Sequence, residues 1–161
     1  METLLQQVVN GLVVGSVYAL IALGYTMVYG ILGLINFAHG DVLMVGALVA
    51  LEAIELIQAR WPDLGAIPTL LAGLGVATAT CMALGYTIER TAYRRLRNAP
   101  RLAPLITAIG MSFLLQNLAM MIWGRNYLTF PPVIENAQYE LAGASFTSIQ
   151  VAIVLISGLS M

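Results

Sequence analysis

Residues 3–40 contain no Asp, Glu, Lys or Arg, and this uncharged run limits the folds open to the chain more than any other feature. Drawn out as one helix it would reach roughly 57 Å at about 1.5 Å per residue, almost twice the ~30 Å hydrocarbon core of a bilayer. One crossing cannot hold it. Nor can a water-soluble core, because the chain is 60% hydrophobic and 9% charged, with a mean hydropathy of +0.87, outside the range of soluble domains. The chain therefore reads as an integral membrane protein with a junction between two membrane segments near its N-terminus.

Five apolar segments are expected, at about 5–29, 34–57, 65–88, 102–123 and 146–161. Lipid offers backbone N–H and C=O groups no partner, so each segment must satisfy its own hydrogen bonds as a helix. A β-barrel is excluded because runs such as "LIALGYTMV" and "LVALEAIELI" lack the strict alternation of barrel strands. The expected fold is all-α: one polytopic transmembrane domain over 1–161, with about five transmembrane or partly re-entrant helices. Pro68 and Pro104 suit the first turns of segments three and four, where a missing N–H costs nothing. Segment two is the weakest, since Glu52 and Glu55 leave only Val42–Leu51 uncharged, and a re-entrant half-helix is the alternative. Small residues recur every fourth position at Gly11, Gly15 and Ala19, and again at Gly73, Ala77, Cys81 and Gly85. Such stripes let helix backbones approach closely and predict helix contact, within the chain or between subunits.

The chain has seven arginines and no lysine, and Arg90, Arg94, Arg95, Arg97 and Arg101 crowd one loop. By the positive-inside rule the loop at about 89–101 is cytoplasmic. Counting crossings from it makes the loop at about 124–145 external, with room for a short element, and places Trp61, Trp123 and Tyr127 near the outer interface. The N-terminus is then outside if segment two crosses, and inside if it is a half-helix. The arginine cluster also suits anionic lipid headgroups. A formal net charge of -1, with its positive part confined to one loop, gives no nucleic-acid surface.

Ionisable groups inside a span cost about 2.5–3.5 kcal/mol on insertion scales, so they are the first candidates for function. Here they are His39, Asp41, Glu52 and Glu55. Glu52 and Glu55 share a helix face and either snorkel or pair with Arg60. His39 and Asp41, in "INFAHGD", lie two residues apart, about 200° around a regular helix, and converge only if the backbone breaks. Gly30, Gly33 and Gly40 punctuate this stretch, and Asn36 and Asp41 are good N-cap residues. On one reading Asp41 caps a helix starting at Val42 and His39 meets a freed carbonyl. On another, Asn36, His39, Gly40 and Asp41 form a broken helix on a transport pathway, or His39 and Asp41 relay protons. Ser112, Gln116 and Asn117 form a polar cluster suited to interhelical hydrogen bonds or to solute contact. No catalytic residue is identified, and one histidine and one cysteine supply no metal-ligand set.

Four motifs occur in order: N-G-x-x-x-G-S-x-Y-A-L-x-A-x-G-Y from Asn10, I-N-F-A-H-G-D from Ile35, Y-R-x-x-R from Tyr93, and I-G-x-S-x-x-L-Q-N from Ile109. Together they resemble the membrane permease of branched-chain amino-acid ABC importers, the H-type subunit, strongly over about 5–120. The resemblance implies a prokaryotic plasma-membrane subunit without a catalytic centre or bound cofactor. Its implied partners are a second related permease, two cytoplasmic ATPases that use ATP, and an extracytoplasmic solute-binding protein. It further implies leucine, isoleucine or valine as solute. Urea and short-amide permeases share much of the pattern, and a proton-coupled carrier or a non-transporting scaffold are the remaining alternatives. Family members continue into further spans and an E-A-A-like coupling loop. No E-x-x-x-A-x-x-x-G arrangement occurs on the expected cytoplasmic side, so the chain is expected to match the N-terminal part of the family's chain.

Overall fold

A computed structural model of the chain describes residues 2–33, 36–96, 99–100, 102–131, 138–141 and 144–160. Helices dominate it: α1 (Glu2–Leu32), α2 (His39–Arg60), α3 (Ala66–Ile88), α4 (Leu102–Trp123) and α5 (Ser148–Ser160). A π-helical turn (Glu89–Tyr93) and a 3-10 turn (Arg94–Leu96) prolong α3. Two strands, β1 (Gln138–Leu141) and β2 (Ala144–Thr147), pair antiparallel with Gln138 opposite Thr147 and Leu141 opposite Ala144. Among the described residues four helical stretches, Thr3–Ile31, His39–Arg60, Ala66–Leu96 and Leu102–Trp123, are long and apolar enough to cross a bilayer. The 13 residues of α5 reach only about 20 Å, less than one crossing.

Local chemistry explains the helix ends. Gly33 and Gly124 have φ of 65° and 79°, and each donates its N–H four residues back, to Tyr29 O (2.8 Å) and Met120 O (3.1 Å). This is the left-handed glycine cap that satisfies an orphan carbonyl and stops a helix. At the start of α5 the Gln150 Oε1 accepts from the Thr147 N–H at 3.0 Å, one half of a capping box. Segments three and four form as expected, over Ala66–Ile88 and Leu102–Trp123. The second helix differs, starting at His39 and running unbroken for 22 residues to Arg60. At about 33 Å it is span-length, so the half-helix alternative does not form.

Two compact units make up the chain: Met1–Gly33 with Ile134–Met161, and Leu34–Val133. In the first unit α1 packs on α5 and β2. The buried Ser157 donates from Oγ to the Ser16 carbonyl at 3.0 Å, and Val9, Leu12, Val13, Val151, Val154 and Leu155 line the apolar seam. Gly11 and Gly15 are exposed, and a Cβ on either would meet no described atom within 4 Å. The expected close approach through those glycines is therefore absent from this unit. The seam with α5 runs instead through Leu12, one residue after Gly11, and through Val9 and Val13, two residues to either side of it.

In the second unit α2 lies along α3 over the longer of its interfaces. Gly73 and Ala77 are buried there, and the Cys81 thiol donates to the Val42 carbonyl at 3.5 Å. A Cβ on Gly46 would come 2.5 Å from Cys81 Sγ, and one on Gly73 would come 2.7 Å from Ile54 Cγ1. The α3 stripe is thus a packing face at Gly73, Ala77 and Cys81 but not at Gly85, where a Cβ meets nothing within 4 Å. Gly73→Val is expected to destabilise the protein by about 1–3 kcal/mol through overpacking, read from thermal unfolding in detergent. Gly85→Val should stay close to wild type. Equal losses at the two positions would contradict this assignment of the face.

Candidate functional site

The polar groups of the second unit gather where α2 begins. Asn36 precedes the helix and accepts on Oδ1 from the Ala38 N–H (3.1 Å), while its carbonyl accepts from the His39 N–H (3.1 Å). These are the contacts of an Asx turn leading into the helix, whose N-cap position, Ala38, has no side-chain cap. The same Oδ1 accepts from the Tyr93 hydroxyl at 2.7 Å, across 57 residues. Beneath them Ala38, Ile88 and Leu115 form a buried apolar cluster, flanked by Val42, Leu84, Ala92, Tyr93 and Met111. The junction in the uncharged run is thereby tied to the end of α3 and the middle of α4.

Asp41 does not cap a helix starting at Val42. The helix already begins at His39, and Asp41 lies in its first turn, 8% exposed. There the carboxylate favours the positive helix end, and its Oδ1 accepts from Gln116 Nε2 of α4 at 2.9 Å, across 75 residues. Gln116 Nε2 also reaches Ser112 Oγ at 3.3 Å, so two of the three polar residues of segment four join this network. Asn117 instead donates from Nδ2 to its own helix, at the Phe113 carbonyl (2.7 Å), and is exposed.

His39 and Asp41 do not converge. The backbone breaks before His39, so both stand on one regular helix, about 200° apart. Gly40 is the helical residue between them, and His39 is half-buried. Glu52 and Glu55 are exposed and form no ion pair with Arg60 among the described residues. Arg60 follows Glu55 by five positions, about 140° around the helix and off the three- and four-residue rows that let side chains meet.

Arg90, Arg94 and Arg95 are exposed along the continuation of α3, and Arg90 Nη1 donates to the Tyr86 hydroxyl at 2.7 Å. Arg97 and Arg101 lie outside the described residues. Arg94 and Arg95 follow Ile88, the residue level with Ala38, by six and seven positions. The start of α2 therefore stands about 10 Å short of these arginines along the helix axis.

The two tryptophans do not share a level. Trp123 lines a groove with Leu48, whereas Trp61 follows Leu48 by 13 residues, about 20 Å further along α2. The expectation of both rings at one interface fails because α4 is displaced along α2, as the Asp41–Gln116 contact requires. Sequence reasoning also missed Tyr93, whose hydroxyl holds Asn36. It heads the Y-R-x-x-R run, whose reading rested on its arginines. Among the described residues no cluster of three His, Cys, Asp or Glu side chains could hold a metal ion.

Residues 7–160 match the family described as branched-chain amino acid transport system / permease component. The chain is 44% identical, over 98% of its length, to the high-affinity branched-chain amino acid transport system permease protein BraD of Pseudomonas aeruginosa. It is likewise 44% identical over 98% of its length to LivH of Escherichia coli, and 43% identical to LivH of Salmonella typhimurium. The chain spans about half the length of these curated relatives, 52% of each. No solved structure matches.

Proposed function

Because the chain belongs to the branched-chain amino acid transport permease family, we propose that it forms half of the translocation pathway of an ATP-driven importer of leucine, isoleucine and valine. It is a multi-pass protein of the prokaryotic plasma membrane that binds no cofactor. It works with a second related permease, two cytoplasmic ATPases that hydrolyse ATP, and an extracytoplasmic solute-binding protein. The observation that carries this reading is the family match across residues 7–160. The four span-length helices support it.

In this reading the arginine-rich loop at about 89–101 faces the cytoplasm and the anionic lipid of the inner leaflet. The loop at about 124–145 is external and, with α2 a full span, the N-terminus is outside. The I-N-F-A-H-G-D turn marks the pathway, with Asn36 and Tyr93 holding its geometry and Asp41 and Gln116 bridging α2 and α4.

The test is uptake of labelled leucine, valine and urea by membranes carrying the full protein and its partner subunits. Leucine uptake that needs ATP and stops when the ATPases are inactivated is the expected result. Uptake of urea alone would favour an amide permease. Uptake that follows the proton gradient without ATPases would favour a secondary carrier. His39→Ala is expected to leave the pH dependence of uptake unchanged, since His39 and Asp41 face apart. A displaced pH profile would restore a relay role.

A further inference from the structure

The second unit contains an open groove of about 440 Å³ between α2 and α4, lined by Met44, Leu48, Gln116, Ala119, Met120 and Trp123 among others. Its volume suits a small ligand. Gln116, Met120 and Trp123 share one face of α4, being four and then three residues apart. Apart from the Gln116 amide, the indole nitrogen, and Asn126 and Tyr127 at the Trp123 end, the lining side chains are hydrocarbon or thioether. That suits a branched aliphatic side chain better than a polar one.

The polar end of the groove has a defined direction. A carboxylate only accepts hydrogen bonds, so the Gln116 amide must turn Nε2 toward Asp41, and Nε2 reaches Asp41 Oδ1 and Ser112 Oγ. The carbonyl Oε1 has no partner among the described residues. Asp41 polarises this amide through the hydrogen bond, which raises the negative charge on Oε1. The groove therefore pairs an electron-rich acceptor at one end with an apolar trough, the complement of an ammonium next to an aliphatic side chain.

A lipid tail would fill the trough but would leave Oε1 without a donor.

We propose that this groove is a solute subsite that takes a branched-chain amino acid, with the ammonium on Gln116 Oε1 and the side chain between Met44, Leu48 and Met120. The proposal rests on the importer reading above and adds the residues that touch the solute. It makes Gln116, held by Asp41, the residue that recognises the amino group.

The test uses the full protein with its partner subunits in membranes, carrying Leu48→Cys in a Cys81→Ala background. Labelling by a membrane-permeant maleimide is followed with leucine, and with 4-methylpentanoate, which is leucine without its amino group. At ten times its dissociation constant leucine should slow labelling about tenfold, because only the empty site reacts. The deaminated analogue at the same concentration should leave the rate within about twofold. Met120→Cys, on the opposite wall, repeats the measurement should Leu48→Cys fail to fold. Unchanged labelling in membranes that take up leucine overturns the subsite while leaving the importer reading intact. Equal protection by the analogue overturns amino-group recognition. Membranes that take up no branched-chain amino acid overturn both.

Discussion

Gln116→Leu is expected to destabilise the protein by about 2–3 kcal/mol, and Asp41→Ala by less. The reason is an asymmetry between the two partners. Removing Gln116 leaves a carboxylate that is 8% exposed without the donor that reaches it from α4 at 2.9 Å. Losing the partner of a buried group costs about 1–3 kcal/mol, more for a charge, and an unmatched carboxylate in a span carries a similar penalty. Removing Asp41 takes the buried charge away with the bond. The loss is then offset by relieved desolvation, and what remains is a helix-end interaction of about 0.3–1 kcal/mol. Gln116 is itself exposed and keeps Ser112 at 3.3 Å. The double variant Asp41→Leu/Gln116→Leu should recover part of the single Gln116→Leu loss. Thermal unfolding of the three variants in detergent measures this, and Asp41→Ala costing as much as Gln116→Leu would contradict it.

Asn36→Ala is expected to cost about 2 kcal/mol, roughly twice Tyr93→Phe. One oxygen, Asn36 Oδ1, serves both the Ala38 N–H at 3.1 Å and the Tyr93 hydroxyl at 2.7 Å. Each of these hydrogen bonds contributes about 0.5–1.5 kcal/mol, and Asn36→Ala removes both. Tyr93→Phe removes only the second. Because the two residues share one contact, the pair of variants should fall short of additivity by about 1 kcal/mol. Additive losses would mean that the Tyr93 hydroxyl stabilises the protein through a partner other than Asn36.

The parts of the fold that were legible beforehand share a physical feature. The segments at 65–88 and 102–123 became α3 and α4 with ends displaced by one residue or none. Their apolar runs are bounded by polar or loop sequence, and Pro68 and Pro104 stand in their first turns. The helix expected from Leu34 starts five residues later, at His39, because hydropathy continues through Leu34–Ala38 while Asn36 holds a turn just before the helix. Gly11 and Gly15 show the converse. Their spacing permits close packing, but among the described residues of this chain no helix takes it up.

The amino-acid sequence by itself determined that this chain is a set of membrane helices, which of its segments are long enough to cross, and to which family it belongs. Backbone hydrogen bonds in lipid close within four residues, so a local window contains the information that forms each helix. Only the tertiary structure decided that Asp41 meets Gln116 across 75 residues and Asn36 meets Tyr93 across 57. Those pairings depend on how far α4 is displaced along α2 and how far α3 continues past Ile88. Both follow from the side chains that interlock between helices, and no local pattern of polar and apolar residues contains them.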